Sequence, residues 1–450
     1  MAENKDFDQA PNSQHMEVPD PEKHESHVII PDERQTSIRR KFDRRVLPIV
    51  CILYILSYLD RGNIGNAKTA GLDTDLNLSD YQWGAAAMCS GAVNNFAQLL
   101  ACRSLLGIFE SIFGCGAPYF LSLFYQRKEL GLRVSLLLGM SPVANCFAST
   151  LAYGITHIKG SLEPWRYLFI IEGAPTVLFA VVVYFYLPDS PGTANFLNEM
   201  EQTEAVERLQ AFDTTAKNKI QWSQVLSGLS DYKNYVHMTI HFCCNYSFAA
   251  LSNFLPSILE SMGYTSINAQ GLAAPPYLVS FLCCVAAAFL SDRFSNRGGL
   301  ITFFAIIGTI GYLILTCVQD ETKTAARYAG IWLATCGIFP ALALNITWLL
   351  NNQGGESKKG AGMAMLAIFG QCSSLISSSV FPDSDAPLYT KGCGIGSALT
   401  GLIAFLALGL SITLAVENRR RERVYGVVGL HERVDVTNGG DKNTRFRYLI

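Results

Sequence analysis

Apolar residues fall in long blocks broken by short polar stretches, the pattern of a chain threaded repeatedly through a bilayer. A membrane-crossing helix needs about 20 mostly apolar residues. On that ruler the sequence predicts spans near 46–68, 96–125, 134–158, 167–187, 236–260, 271–290, 300–318, 327–350, 361–381 and 395–416. An extra apolar piece at 83–94 would be about 18 Å long as a helix, well short of a hydrocarbon core about 30 Å thick. It reads as a re-entrant or interfacial remnant. The expected fold is an all-α membrane protein with about ten full transmembrane helices plus this remnant.

Composition agrees. Half of the 450 residues are hydrophobic and 16% are charged, where a soluble protein carries about a quarter. Residues 1–45 hold 18 charges, while residues 46–187 hold only 16. Charge confined to ends and loops excludes a nucleic-acid binder and a secreted module. Residues 1–38 are polar and acidic, lack the apolar core of a signal peptide, and read as a disordered tail. The thirteen cysteines sit mostly in apolar runs, as in Cys243-Cys244 and Cys283-Cys284, and no Cys-x-x-Cys pair occurs. They read as small buried hydrophobes, not a disulfide or zinc framework.

Basic residues set the expected orientation. With the cluster Arg39, Arg40, Lys41, Arg44 and Arg45 in the cytosol, alternating spans also put Arg127, Lys128, Arg133, Arg293, Arg297, Lys358, Lys359 and Arg419–Arg421 there. The opposite loops hold only Lys159, Arg166, Lys323 and Lys391. The consistency requires that 83–94 does not cross. The longest hydrophilic interior stretch, 188–235, is then cytosolic and carries an amphipathic charged segment at 196–211. It divides an incomplete amino-terminal bundle, 39–187, from a six-helix bundle, 236–418, followed by a cytosolic tail, 419–450. One long central loop suggests two repeated halves with a substrate site between them near the midplane.

Four segments carry a family resemblance. The run Tyr58-Leu59-Asp60-Arg61-Gly62-Asn63-Ile64-Gly65-Asn66-Ala67 resembles the first-helix signature of the anion:cation symporter family of the major facilitator superfamily, in its fungal allantoate-permease-like branch. Arg103-Ser104-Leu105-Leu106-Gly107-Ile108-Phe109-Glu110 is similar to the fourth-helix motif. Trp165–Gly173 resembles the entry to the sixth helix, and Ser291-Asp292-Arg293-Phe294 with Arg297 resembles the second-half Asp-Arg loop. Family members carry a complete second span, a basic loop and a full third span before the Arg103 motif. Here Tyr81-Gln82-Trp83 runs almost directly into Ala85-Ala86-Ala87-Met88. The resemblance therefore implies an internal deletion from twelve spans, and removing two preserves the orientation of everything downstream.

Ionisable groups at membrane depth cost a few kcal/mol or more and are functional candidates by default. Asp60 and Arg61 lie deep in the first span, about 100° apart on a helix. Arg61 offers a fork matched to a carboxylate; the alternative is a structural ion pair. Arg103 and Glu110 are two turns apart, so each needs another partner; Arg103 either meets Asp60 or anchors its helix at the membrane face. The resemblance implies proton carriage by Asp60 and Glu110, and substrate binding by Arg61, Asn63 and Arg103. Glu172 reads as a structural pair in the outer leaflet. Asp292, Arg293 and Arg297 are expected to form a gating loop, with solvated loop charges as the alternative.

His237 and His241, one helical turn apart, have a metal-like spacing but no carboxylate nearby, so no metal is expected. Asn245, Tyr246, Asn253, Asn345 and Gln371 either line the pore or bond between helices; Tyr246 and Asn345 are taken as substrate-binding candidates. Asn77, in the sequon Asn77-Leu78-Ser79, is the one glycosylation candidate on the luminal side. No nucleotide-cradling loop, nucleophile elbow or metalloprotease motif occurs, so no enzyme and no cofactor is expected. The expected function is a plasma-membrane, monomeric secondary transporter of a small organic carboxylate, driven by proton symport. The alternative is a shortened, transport-incompetent membrane protein or sensor, retained in the endoplasmic reticulum.

Overall fold

The computed structural model describes residues 32–69, 116–155, 164–210, 221–320, 323–381, 388–427 and 440–450, with Gly107, 113–114 and Asp385. Among these the regular structure is entirely helical. In chain order the helices are α1 (Asp32–Arg45), α2 (Leu47–Thr69), α3 (Arg127–Ile155), α4 (Pro164–Tyr186), α5 (Glu199–Gln210), α6 (Trp222–Leu229), α7 (Tyr232–Ser261), α8 (Ser266–Phe294), α9 (Arg297–Cys317), α10 (Thr324–Asn352), α11 (Glu356–Val380) and α12 (Thr390–Tyr425). Residues 116–122 form a further helical segment leading into α3. Six of the described helices are long and apolar enough to cross a membrane.

Nine of the ten expected spans fall on described helices. The tenth, 96–125, lies largely outside the described residues, as does the piece at 83–94. Two expected boundaries need correction. Residues 32–38, assigned to a disordered tail, are helical in α1, because Ile38, Phe42, Val46 and Val50 recur every fourth residue and all four are buried. Phe42 meets Phe124 and Phe196 edge-on, with ring centroids 5.4 and 6.0 Å apart. The last span also runs on to Tyr425, since Arg419–Arg423 carry the helix beyond its apolar stretch.

Side-chain caps start the later helices. Asp231 accepts from the Lys233 amide at α7, Thr265 from Asn268 at α8, and Asn296 from Gly299 at α9. Between α8 and α9, Ser295 adopts a left-handed conformation (φ 51°) that reverses the chain in one turn. Interior prolines occur in α3, α4, α7, α8 and α10, as bundled membrane helices tolerate.

The carboxy-terminal bundle, α7–α12, is organised around α10, which is buried over most of its length. α9 crosses α10 closely enough that a Cβ on Gly311 or Gly337 would strike the opposing backbone, a small-residue interface suited to apolar helices. The amino-terminal bundle joins the other through α3, which packs on α8 and α10, and α2, which touches α7. Among the described residues, polar side chains also meet across the seam. Asn145 Nδ2 donates to Ser252 Oγ at 3.0 Å, and the Ser135 and Thr347 hydroxyls lie 3.5 Å apart.

At one end of the helices the hydrophilic segments form an ordered layer. Arg34 pairs with Glu204 (2.8 Å), Lys41 with Glu201 (2.6 Å) and Arg133 with Asp43 (2.7 Å), tying α1, α5 and α3 together. Arg208 is buried, pairing with Glu129 and donating to the Gln35 carbonyl at 3.0 Å. The carboxy-terminal stretch, expected as part of a tail, also docks. Asp441 lies between Lys233 and Lys358, 2.6 Å from each. Trp348 and Asn352 donate to the Leu449 carbonyl, and Arg421 donates to three tail carbonyls.

Candidate functional site

A cavity of about 600 Å³ lies between the bundles. Tyr54 and Tyr58 of α2, Gly114, Gly116 and Tyr119, and Leu138 of α3 bound it from the amino-terminal side. His241 and Asn245 of α7, Leu342 and Ile346 of α10, and Gly360, Met363, Ala364, Leu366, Ala367, Ile368 and Gln371 of α11 bound it from the other. A membrane transport site is expected at such an interface between halves.

Its wall is aromatic on one side. Tyr54 and Tyr58 stack one turn apart, ring centroids 4.6 Å apart and hydroxyls 3.1 Å apart. Tyr58 also meets Phe248 of α7 edge-on at 5.6 Å, so a single ring touches both bundles. The opposite wall is largely apolar, with His241, Asn245 and Gln371 as its polar groups. Asn245 Nδ2 donates to the His241 carbonyl, and Gln371 is exposed within α11. Among the described lining residues there is no charged side chain. Such a wall can stack a flat ring and hydrogen-bond its edge, while any full charge on a ligand must be met elsewhere.

The predicted site residues distribute unevenly. Asp60, Arg61 and Asn63 lie on α2, one turn or so beyond Tyr58, but their side chains lie outside the description, as does that of Glu172. Arg103, Glu110 and Asn77 lie outside the described residues. Tyr246 and Asn345 are both buried in helix-to-helix hydrogen bonds and neither lines the cavity. Tyr246 donates to the Gly392 carbonyl at 3.1 Å. Asn345 Oδ1 lies 2.8 Å from His237 Nδ1, and its amide donates to the His237 carbonyl. Of the five neutral polar groups singled out in the spans, Asn245 and Gln371 face the cavity and these two bond between helices. His237 packs edge-on to Trp348. Among the described residues no cluster suits a metal.

Asp292 and Arg297 are brought together across the α8–α9 turn, 2.9 Å apart. Asn351, its amide oxygen turned toward the guanidinium, accepts from Arg297 Nη1 and Nη2 at 3.1 and 2.8 Å. The pair presses on Gly131 of α3, where a Cβ would come within 2.6 Å of Arg297 Nη2, and the Leu132 backbone also bonds to Asp292. The α8–α9 pair thus meets α3 of the other bundle, and Arg293 is exposed beside it. Sequence reading had located these charges but not Gly131, Tyr54 or Tyr58. The tyrosines' one-turn spacing just before the Asp60–Arg61 pair was the available signal.

Residues 81–379 match the family model described as Major Facilitator Superfamily. The chain belongs to that superfamily. Among solved structures of the superfamily's fold, the bacterial proton:xylose symporter XylE superposes with a TM-score of 0.61 at 13% identity, covering 82% of this chain and 95% of that one. Among curated relatives, an uncharacterised transporter of Schizosaccharomyces pombe is 30% identical over 466 residues, covering 94% of this chain and 92% of its own. The high-affinity nicotinic acid transporter of Saccharomyces cerevisiae is 28% identical over 453 residues, covering 92% and 84%. The superfamily and these relatives mark a multi-pass membrane transporter of a small molecule, not an enzyme. Its fold is the all-helical two-bundle fold of the superfamily.

Proposed function

We propose that this chain is a secondary transporter of a small organic carboxylate, in the anion:cation symporter branch, working as a monomer in the plasma membrane. The observation that carries the reading is the cavity between the bundles, with an aromatic wall from Tyr54 and Tyr58 of α2, the helix whose sequence continues into Asp60 and Arg61. In this reading Arg61 supplies the charge-assisted fork for the carboxylate and the tyrosines the face for the rest of the ligand. The yeast nicotinic acid transporter, a relative over most of both chains, is consistent with a ring-bearing monocarboxylate. Protons are the coupling ion in this reading, carried by Asp60 and Glu110, with Arg103 organising the pair. In this reading Asp292 and Arg297 act in gating: rocking the bundles apart at this end would break the Leu132 backbone bond to Asp292 and open the contact on Gly131.

One specific observation favours a second reading, a shortened form that binds but does not transport. The alignment with the fission-yeast relative runs over 466 positions but draws on 94% of 450 residues, about 423, leaving about 43 positions unmatched in this chain. The yeast nicotinic acid transporter leaves about 39 by the same arithmetic, from 453 positions and about 414 residues. About 40 residues is two membrane spans. Helix α4 supports this too. Tyr184, Phe185 and Tyr186 point in three directions about 100° apart, and all three are exposed.

Uptake of radiolabelled nicotinate into fungal cells, by this chain and by a version carrying the relative's intervening segment, separates the readings. The restored version should accumulate the anion. Equal surface expression and equal uptake by both would rule out the shortened form; no uptake by either would remove the carboxylate reading.

A further inference from the structure

The imidazole of His241 is a buried polar group that the fold leaves unused. It is 8% exposed and borders the cavity. Its Nδ1 is sealed from solvent without a hydrogen-bond partner, so Nε2 is the nitrogen a cavity ligand can reach, and no side-chain hydrogen bond or ion pair forms at either ring nitrogen among the described residues. One turn away on the same helix His237 is fully engaged with Asn345 and Trp348, so the fold can satisfy a histidine at this depth. Buried polar side chains are nearly always hydrogen-bonded, and an exception calls for an explanation. Room has been made for the ring. It lies over Gly370 of α11, where a Cβ would stand 2.6 Å from Cδ2, 3.2 Å from Nε2 and 2.8 Å from the Asn245 amide nitrogen. An alanine at this position would displace both polar side chains from the cavity wall. Gln371, the next residue on α11, borders the same cavity.

We propose that His241 is a ligand-contacting residue of the central cavity, whose ring meets a hydrogen-bonding atom in the ring of a planar heteroaromatic monocarboxylate stacked against Tyr54 and Tyr58. The assignment rests on the carboxylate reading above and narrows it. A neutral imidazole presents one N–H donor and one acceptor nitrogen, so it suits a ring nitrogen acceptor and adds nothing for an unsubstituted ring. Gln371 supplies a second donor on the same side, and the tyrosines supply the stacking face. Aliphatic acids satisfy neither wall. Selectivity built on a hydrogen bond in a buried site is sharp, because the competitor lacking the atom leaves the protein group unpaired.

The test uses the purified full chain in lipid nanodiscs and three probes: nicotinate, benzoate (the same shape without the ring nitrogen) and butyrate. Equilibrium binding should rank nicotinate over benzoate by about five- to tenfold, the value of one neutral hydrogen bond, with butyrate weakest. In His241→Asn, chosen to be smaller so that it cannot clash with α11, the nicotinate preference over benzoate should shrink below twofold while benzoate affinity stays within a factor of two. Gly370→Ala should erode the same preference by crowding the ring, with some loss of thermal stability, while thermal unfolding of His241→Asn should stay close to that of the parent chain. Retention of the full nicotinate preference in His241→Asn overturns the assignment while leaving the carboxylate reading intact. A parent chain that binds none of the three probes overturns that reading and this one together.

Discussion

At the scale of single residues the most densely built site after the cavity is Asp441. Burial alone would raise its carboxyl, but Lys233 and Lys358 outweigh that and hold it below the usual carboxylate range. Tyr448 donates to the same carboxylate at 3.2 Å and its ring faces the Lys233 ammonium at 4.2 Å. A folded-state value below the unfolded one means the stabilisation is fully present above about pH 4 and is lost as the pH falls through the folded value. Docking of residues 440–450 should therefore be unchanged from pH 8 to pH 5 and should fail only in stronger acid. Asp441→Asn leaves two buried ammonium groups sharing the Asp231 carboxylate and should cost about 3 kcal/mol. Limited proteolysis that cuts the tail of the variant, but not of the parent, at neutral pH would bear this out; equal protection would refute it. Nothing in the sequence pointed here, because Asp441 and Tyr448 sit in a polar run without period and find their partners some 80 to 215 residues away. Neighbouring positions on α7 show the same limit. Asn245 lines the cavity while Tyr246, rotated by about 100°, bonds to Gly392 in the other direction. Composition marks both as polar groups in a span; only the helix's rotation assigns one to the ligand and the other to packing.

Helices were the legible scale. Long apolar runs located α2, α4 and α7–α12 to within several residues, since span length is set by bilayer thickness and not by tertiary context. The amphipathic stretch at 196–211 became α5 for a related reason: Leu197 and Ala205 face inward while Lys41 reaches Glu201 on the outer side. How those helices cross was not legible, since it depends on where small residues from distant segments coincide. At the α9–α10 crossing Gly308, Gly311, Gly330 and Gly337 let the backbones meet. Gly337→Leu would drive a side chain into the Gly308 backbone, and overpacking of this kind costs 1–3 kcal/mol or more. The variant should unfold at lower temperature in detergent while a control at Gly409, which has open space around its Cα, should not. Identical melting temperatures for the two would show that the crossing is looser than described.

Over the whole molecule, two bundles meet at a cavity whose two walls come one from each, and elsewhere on the seam Asp292 and Arg297 press on Gly131. If that contact gates the site, as proposed, loosening it should open the seam there. Arg297→Ala, which takes the guanidinium away from Asp292 and Asn351, should raise solvent access to a cysteine placed at Ser135, read by maleimide labelling. An unchanged labelling rate would mean the pair only braces α8 against α9. The central claim is that the transporter carries a ring-bearing carboxylate with protons. It is tested most directly by uptake of labelled nicotinate into proteoliposomes holding this chain or, in parallel, the version carrying the relative's intervening segment, with and without an inward proton gradient. Accumulation above equilibrium that needs the gradient, and that Glu110→Gln abolishes while exchange persists, is the predicted result; accumulation indifferent to the gradient, or undiminished in Glu110→Gln, would contradict it.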